Sequence, residues 1–139
     1  MKISARNQLK VKIADVKNGA VNSEIFANIG ECGKLCAMIT LKSANELGLR
    51  AGDDAIFIFK APNVILAKGQ ELKISISNQL KIKVSEIKKG AVNTEIIAAQ
   101  GEHELCAVIT NESCDKLGIK KGDEALFLIN PSDIIVARA

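Results

Sequence analysis

Three short segments of this chain carry the residue types that hold an anion. Ser4-Ala5-Arg6-Asn7 opens the first predicted strand, Thr40 and Ser43 stand three apart, and Lys60-Ala61-Pro62-Asn63 follows the fourth predicted strand. Together they offer hydroxyls, a guanidinium and an ammonium, and no acidic residue lies within them. Arginine presents a fixed fork of donors that matches oxyanion geometry, and lysine adds a compact charge. Thr40 and Ser43 fall on the first turn of a predicted helix, whose N-terminus presents free N–H groups and the positive end of its dipole. The plainer reading makes Thr40 only a helix cap, Ser43 its third helical residue and Lys60 a solvated strand end. Residue chemistry alone leaves both readings open.

The elements that must position these segments occur twice. NQLKVKIADVKNGAVNSEI from Asn7 recurs as NQLKIKVSEIKKGAVNTEI from Asn78, and after a one-residue deletion Leu35-Cys36-Ala37 is answered by Leu105-Cys106-Ala107. The chain is two copies of one module, 1–69 and 70–139, so every difference between copies has its own internal control. Leu9, Val11 and Ile13 alternate with lysines, the period of a half-buried strand, as do Leu80, Ile82 and Val84. Gly-containing turns at Lys17-Asn18-Gly19 and Lys88-Lys89-Gly90 predict hairpins leading into strands at Ala20–Ala27 and Ala91–Ala98. A strand over Leu35–Ile39 precedes a short helix with Thr40 as N-cap and Gly48 just past its end; Thr110 and Gly118 repeat the pattern. An apolar strand over Ala55–Lys60 and a short strand over Asn63–Ala67 complete the module. This order predicts a mostly β fold, two tandem OB-like barrels each with one short helix, joined by the polar linker Ala67–Glu71. Modules this small predict close packing against each other or against further copies.

Composition excludes several classes. A net charge of +3 and 3% aromatic residues provide neither the basic stripe nor the stacking platforms of a nucleic-acid binder. No apolar run approaches the ~18 residues that cross a bilayer, and Met1–Arg6 has no apolar signal core, so the expected partners include no membrane and the expected location is cytoplasmic. The cysteines are then expected as reduced thiols. Cys32, Cys36, His103 and Cys106 lack the spacing of a zinc site, Cys36 and Cys106 occupy equivalent strand positions where burial is the expected role, and His103 reads as a solvated loop residue. No nucleophile–base pair, phosphate loop or dinucleotide fingerprint is present, and no enzyme is expected.

Ser4-Ala5-Arg6-Asn7-Gln8-Leu9, then Lys17-x-Gly19-Ala20-Val21-x-x-Glu24, Ile39-Thr40-x-x-Ser43 with Leu47-Gly48, and Lys60-Ala61-Pro62 together resemble the Mop or TOBE molybdate-binding family. The resemblance covers nearly the whole chain, once per half, and is similar to the di-Mop arrangement. It implies OB-like barrels, a homotrimer forming a ring of six modules, and molybdate or tungstate held between neighbouring modules in the cytoplasm for molybdenum storage. An alternative that it also implies is a molybdate-sensing regulatory module acting through a protein partner. Carried over by residue, it assigns Ser4, the Ala5 backbone and Arg6 to one side of an oxyanion site, and Thr40, Ser43, Lys60 and the Ala61 backbone to the rest. In the second copy the corresponding set is Ser75, Ile76, Ser77, Thr110 and Ser113. There Ser77 replaces Arg6 and Asn130 replaces Lys60, so sites that depend on this copy alone are expected to bind more weakly.

Overall fold

A computed structural model describes residues 2–30, 33–70 and 72–138; Cys32 of the thiols considered above and Glu71 of the linker lie outside them. The first half contains β1 (Asn7–Asn18), β2 (Asn22–Asn28), β3 (Lys34–Thr40), α1 (Leu41–Leu47), β4 (Asp54–Phe59) and β5 (Ile65–Ala67). The second contains β6 (Asn78–Lys89), β7 (Asn93–Gln100), β8 (His103–Thr110), α2 (Asn111–Leu117), β9 (Glu124–Ile129) and β10 (Ile135–Ala137). Leu9, Val11 and Ile13 are buried and the intervening lysines exposed, as the alternation requires. Thr40 and Thr110 cap the helices, and Gly48 and Gly118 close them at φ 62, a left-handed conformation that glycine adopts without a Cβ penalty.

Several expected boundaries move. Each hairpin strand starts two residues later than the sequence suggests, because Gly19 and Gly90 donate their N–H to Asn22 and Asn93 and the intervening residues form the tip. Ser4, Ala5 and Arg6 precede β1 rather than opening it. The expected strand over Asn63–Ala67 is a 3-10 turn, Ala61–Asn63, followed by the three-residue β5; Pro62 inside the turn has no N–H to give a ladder. His103 starts β8, half-buried, rather than lying in a loop.

β1 serves two surfaces. Asn7 to Lys12 pairs with β4, a bulge interrupts the register between Ile13 and Asp15, and Asp15 to Asn18 continues along β2. The extra residue bends the strand and turns the sheet into a half-barrel. β6 repeats this with β9 and β7. The sheet orders are β10-β4-β1-β2-β3 and β5-β9-β6-β7-β8. Each half therefore lends its last strand to the other, and the sheets do not divide where the sequence repeat does. Leu66 and Val136 are buried by this exchange. Beyond the lent strands, Arg138 donates to the carbonyls of Leu47 and Gly48 at 3.0 and 2.8 Å, and Lys68 donates to that of Gly118 at 3.1 Å. Each cation thus satisfies open carbonyls at the C-terminus of the other half's helix.

One buried cluster runs through both halves, with Phe57 and Phe59 alongside Phe127 and Ile129. Two asparagines fix the halves at their edges. Asn7, 1% exposed, donates Nδ2–H to the Cys106 carbonyl and accepts the Cys106 N–H at Oδ1, both at 2.8 Å. Asn78 does the same with Cys36, again at 2.8 Å. β3 and β8 are the outer strands of their sheets, so each amide occupies backbone groups that would otherwise face outward unpaired. Asn7→Ala should therefore lower unfolding stability by at least about 2 kcal/mol, because a buried N–H and carbonyl both lose their partner. Urea denaturation of this variant and of Asn78→Ala, with each loss below about 0.5 kcal/mol, would contradict this role.

Candidate anion site

The β1–β4 ladder gathers the first donor set. Its last step pairs Asn7 with Phe59, so Arg6 and Lys60 are the residues that leave the ladder at this end, with Ala5 and Ala61 next to them. Arg6 and Lys60 are exposed while Ala5 and Ala61 are buried, so the two cations share the open side of the ladder. Ala61 packs on Ile97 and Cys106, on the outer face of the second half. The sequence segments Ser4–Arg6 and Lys60–Ala61 are thus brought together.

Thr40 and Ser43 are not brought to them. Asn18 pairs with Ser23 and Asn22 with Thr40, which places the start of α1 beside the far end of β1. The β1 contour between the two donor sets is roughly 35 Å. Thr40 Oγ1 accepts the Ser43 N–H at 3.1 Å and lies 2.9 Å from Ser43 Oγ, to which it donates. The capping role is therefore real, and it leaves the Ser43 hydroxyl proton available to another acceptor. Thr110 and Ser113 repeat these contacts. Thr110 lies four residues, roughly 13 Å, beyond the Cys106 that Asn7 grips, so it does not complete the first set either. Ser75, Ile76 and Ser77 occupy the corresponding place before β6, with Ile76 buried against Leu126 and Leu128 and Ser75 and Ser77 exposed. The β6–β9 ladder ends at the Asn78–Ile129 pair, so Ser77 and Asn130 are the residues that leave it there.

Arg6 has acidic neighbours that its own segment does not reveal. Its guanidinium donates to Glu104 at 3.1 Å and lies 3.5 Å from Glu95, both on the facing strands of the second half. The hydrogen bond to Glu104 is the main influence holding the guanidinium protonated still more firmly than usual. A cleft beside it is lined by Arg6, Gln8, Lys10, His103 and Glu104. Cys36, Cys106 and Cys114 are free, buried thiols. Among the described residues no three His, Cys, Asp or Glu side chains are grouped to hold a metal ion. Burial, followed by the hydrogen bond that Cys36 Sγ donates to Glu24 at 3.5 Å, pushes the Cys36 thiol up to about 12. Cys106 is also pushed up by burial, with Arg6 opposing. Sequence reasoning missed Glu95, Glu104 and the asparagine contacts. The only sequence signal for Glu104 is the reversal of Lys34 to Glu104 beside the matched Leu35 and Leu105.

A family model described as TOBE domain matches residues 3–66 and 74–136. The chain belongs to this family, as two TOBE domains in tandem. A solved structure of the cytoplasmic molybdate-binding protein ModG, in a form with molybdate bound, is similar over 100% of both chains, with a TM-score of 0.93 and 39% identity. The chain is also 39% identical over 139 residues to the molybdenum-pterin-binding protein MopA of Rhodobacter capsulatus, covering 99% of this chain and 52% of MopA. It is 32% identical over 138 residues to the molybdenum transport protein ModE of Azotobacter vinelandii, covering 99% of this chain and 51% of ModE. The chain spans about half the length of these two relatives. A probable molybdenum-pterin-binding protein of Haemophilus influenzae matches 48% of this chain with 96% of its own length, at 42% identity.

The raised Cys36 thiol gives a pH prediction. An unfolded thiol ionises near 9, whereas the folded one stays neutral to about 12, so its contribution is complete below 9 and is lost as pH rises between those values. Iodoacetamide at pH 8.5 should leave Cys36 unlabelled in the native protein and label it in urea, as read by peptide mass spectrometry. Rapid native labelling would contradict the burial described here.

Proposed function

We propose that the protein binds molybdate, or tungstate, between chains, and that it stores or buffers the anion in the cytoplasm. The observation that carries this reading is the placement of the donors. Ser4, Ala5, Arg6, Lys60 and Ala61 form one half of a donor set, and Thr40 and Ser43 lie at the far end of β1, so a site that uses both halves takes them from different chains. Similarity to ModG, described with molybdate bound, supports the choice of anion. A tetrahedral dianion accepts hydrogen bonds and requires neither a metal ligand set nor proton exchange, which suits hydroxyls, backbone N–H groups, a guanidinium and an ammonium. A homotrimer of this two-module chain, with 1–69 and 70–139 as the repeating units, would bring the halves together around a closed ring. Among the described residues no helix is long and apolar enough to cross a membrane, and the similar protein ModG is described as cytoplasmic. The role is one of binding rather than catalysis.

Arg6→Ala and Lys60→Ala should each weaken molybdate binding about ten- to a hundred-fold in equilibrium dialysis with elemental analysis, the range expected for one lost charge-assisted bond. Shared sites make a sharper demand. Arg6→Ala chains and Thr40→Ala/Ser43→Ala chains, unfolded and refolded as a mixture, should regain a fraction of the tight sites that neither variant has alone. A mixture that binds no more than the average of its components would overturn the inter-chain site.

A further inference from the structure

The two junctions between the halves are built alike and charged differently. Asn7 grips Cys106 at one and Asn78 grips Cys36 at the other. Glu95 pairs with Val108 across β7 and β8 as Glu24 pairs with Met38 across β2 and β3. Two residues before the gripped cysteine, however, stands Glu104 at the first junction and Lys34 at the second. Arg6 reaches Glu104 and Glu95 at 3.1 and 3.5 Å, so at the first junction this strand position faces the segment before β1, and the matching asparagine contact sets Lys34 in the equivalent place relative to the segment before β6. At the second junction that segment presents Ser75 and Ser77.

The consequence for an entering anion differs between the two. At the first junction Arg6 is already engaged by two carboxylates, and an anion must displace at least one of them to use its full fork of donors. At the second, Glu24 accepts from Cys36 Sγ at 3.5 Å, and no ion pair involves Lys34 among the described residues. Lys34 is exposed, on a strand whose position is fixed by the Asn78 contact two residues away. Its flexible four-carbon stem carries a point charge that can turn toward Ser75 and Ser77.

We propose that the residue at this strand position sets the anion affinity of its junction: Lys34 is the anion-binding cation of the second, and Glu104 restrains Arg6 at the first. This rests on the reading of the protein as a molybdate binder. It leaves in place the expectation, drawn from Ser77 and Asn130, that second-copy groups alone lack a cation, and adds one from the other copy. Lys34 belongs to the first copy and serves the second, because the junction joins β3 to the segment before β6.

The test uses the full chain with molybdate as probe, in equilibrium dialysis at fixed ionic strength with molybdenum measured directly. Lys34→Gln should lower the affinity of one class of sites about tenfold and leave the other class at its wild-type affinity, and Lys34→Arg should restore the lost class. Glu104→Gln should raise the affinity of the remaining class several-fold by releasing Arg6. Both positions are exposed, so circular dichroism and sedimentation should match wild type. Lys34→Gln and Glu104→Gln isotherms superposing on wild type, while Arg6→Ala weakens binding, would overturn this inference and leave the proposed function standing. A wild-type chain that retains no molybdenum would overturn the function itself.

Discussion

The reciprocal grip of Asn7 on Cys106 and of Asn78 on Cys36 is the constraint from which the rest of the arrangement follows. A sheet edge leaves a row of N–H and carbonyl groups that solvent, another chain or a side chain must satisfy. Here an asparagine, able to donate and accept at once, fills one step of the edge on β3 and on β8. Both amides are almost fully buried, so the interaction is made in a setting where leaving it unmade is costly. Because Asn7 and Asn78 sit at the start of β1 and β6, the residues just before them are held over the opposite half. Arg6 and Ser77 therefore report to strands distant in sequence.

That placement governs the electrostatics. A dianion entering a protein surface loses hydration, and nearby cations and dense donors must offset the loss. In the proposed sites the cations are Arg6, Lys60 and Lys34, and the hydroxyls are those of Ser4, Ser43, Ser75 and Ser113. In the first copy Thr40 and Ser43 lie at the other end of β1 from Arg6 and Lys60, which is why the proposed site draws on two chains. Arg6 rests on Glu95 and Glu104, so on the proposed reading these carboxylates compete with an arriving anion. The exchange of β5 and β10, with Lys68 and Arg138 closing the partner helices, ties the halves so that the spacing of these groups is set by packing across the whole chain.

Much of the module was legible. Leu9, Val11 and Ile13 declare a strand by period, Thr40 and Gly48 bracket α1, and the repeat of each in the second copy removes chance from the reading. The gathering of Ser4–Arg6 with Lys60–Ala61 came from family resemblance and has its physical cause in the β1–β4 register. The strand exchange was not legible, because Ile65–Ala67 and Ile135–Ala137 have the same apolar pattern whichever β4-like strand they join. Asn7 reads in sequence as a polar residue at a strand start, where solvent is the ordinary partner, and only the facing edge makes it a structural lock. Glu104 belongs to a segment read as a loop, so its approach to Arg6 depends on a long-range contact that no local pattern encodes.

Diffraction from crystals grown with molybdate, with anomalous data collected at the molybdenum edge, would locate the anion. Anomalous peaks are expected within hydrogen-bonding distance of Ser4, Arg6 or Lys60 of one chain and of Thr40 or Ser43 of another. Peaks enclosed by side chains of a single chain, or the absence of any peak that bridges two chains at these residues, would contradict the inter-chain site.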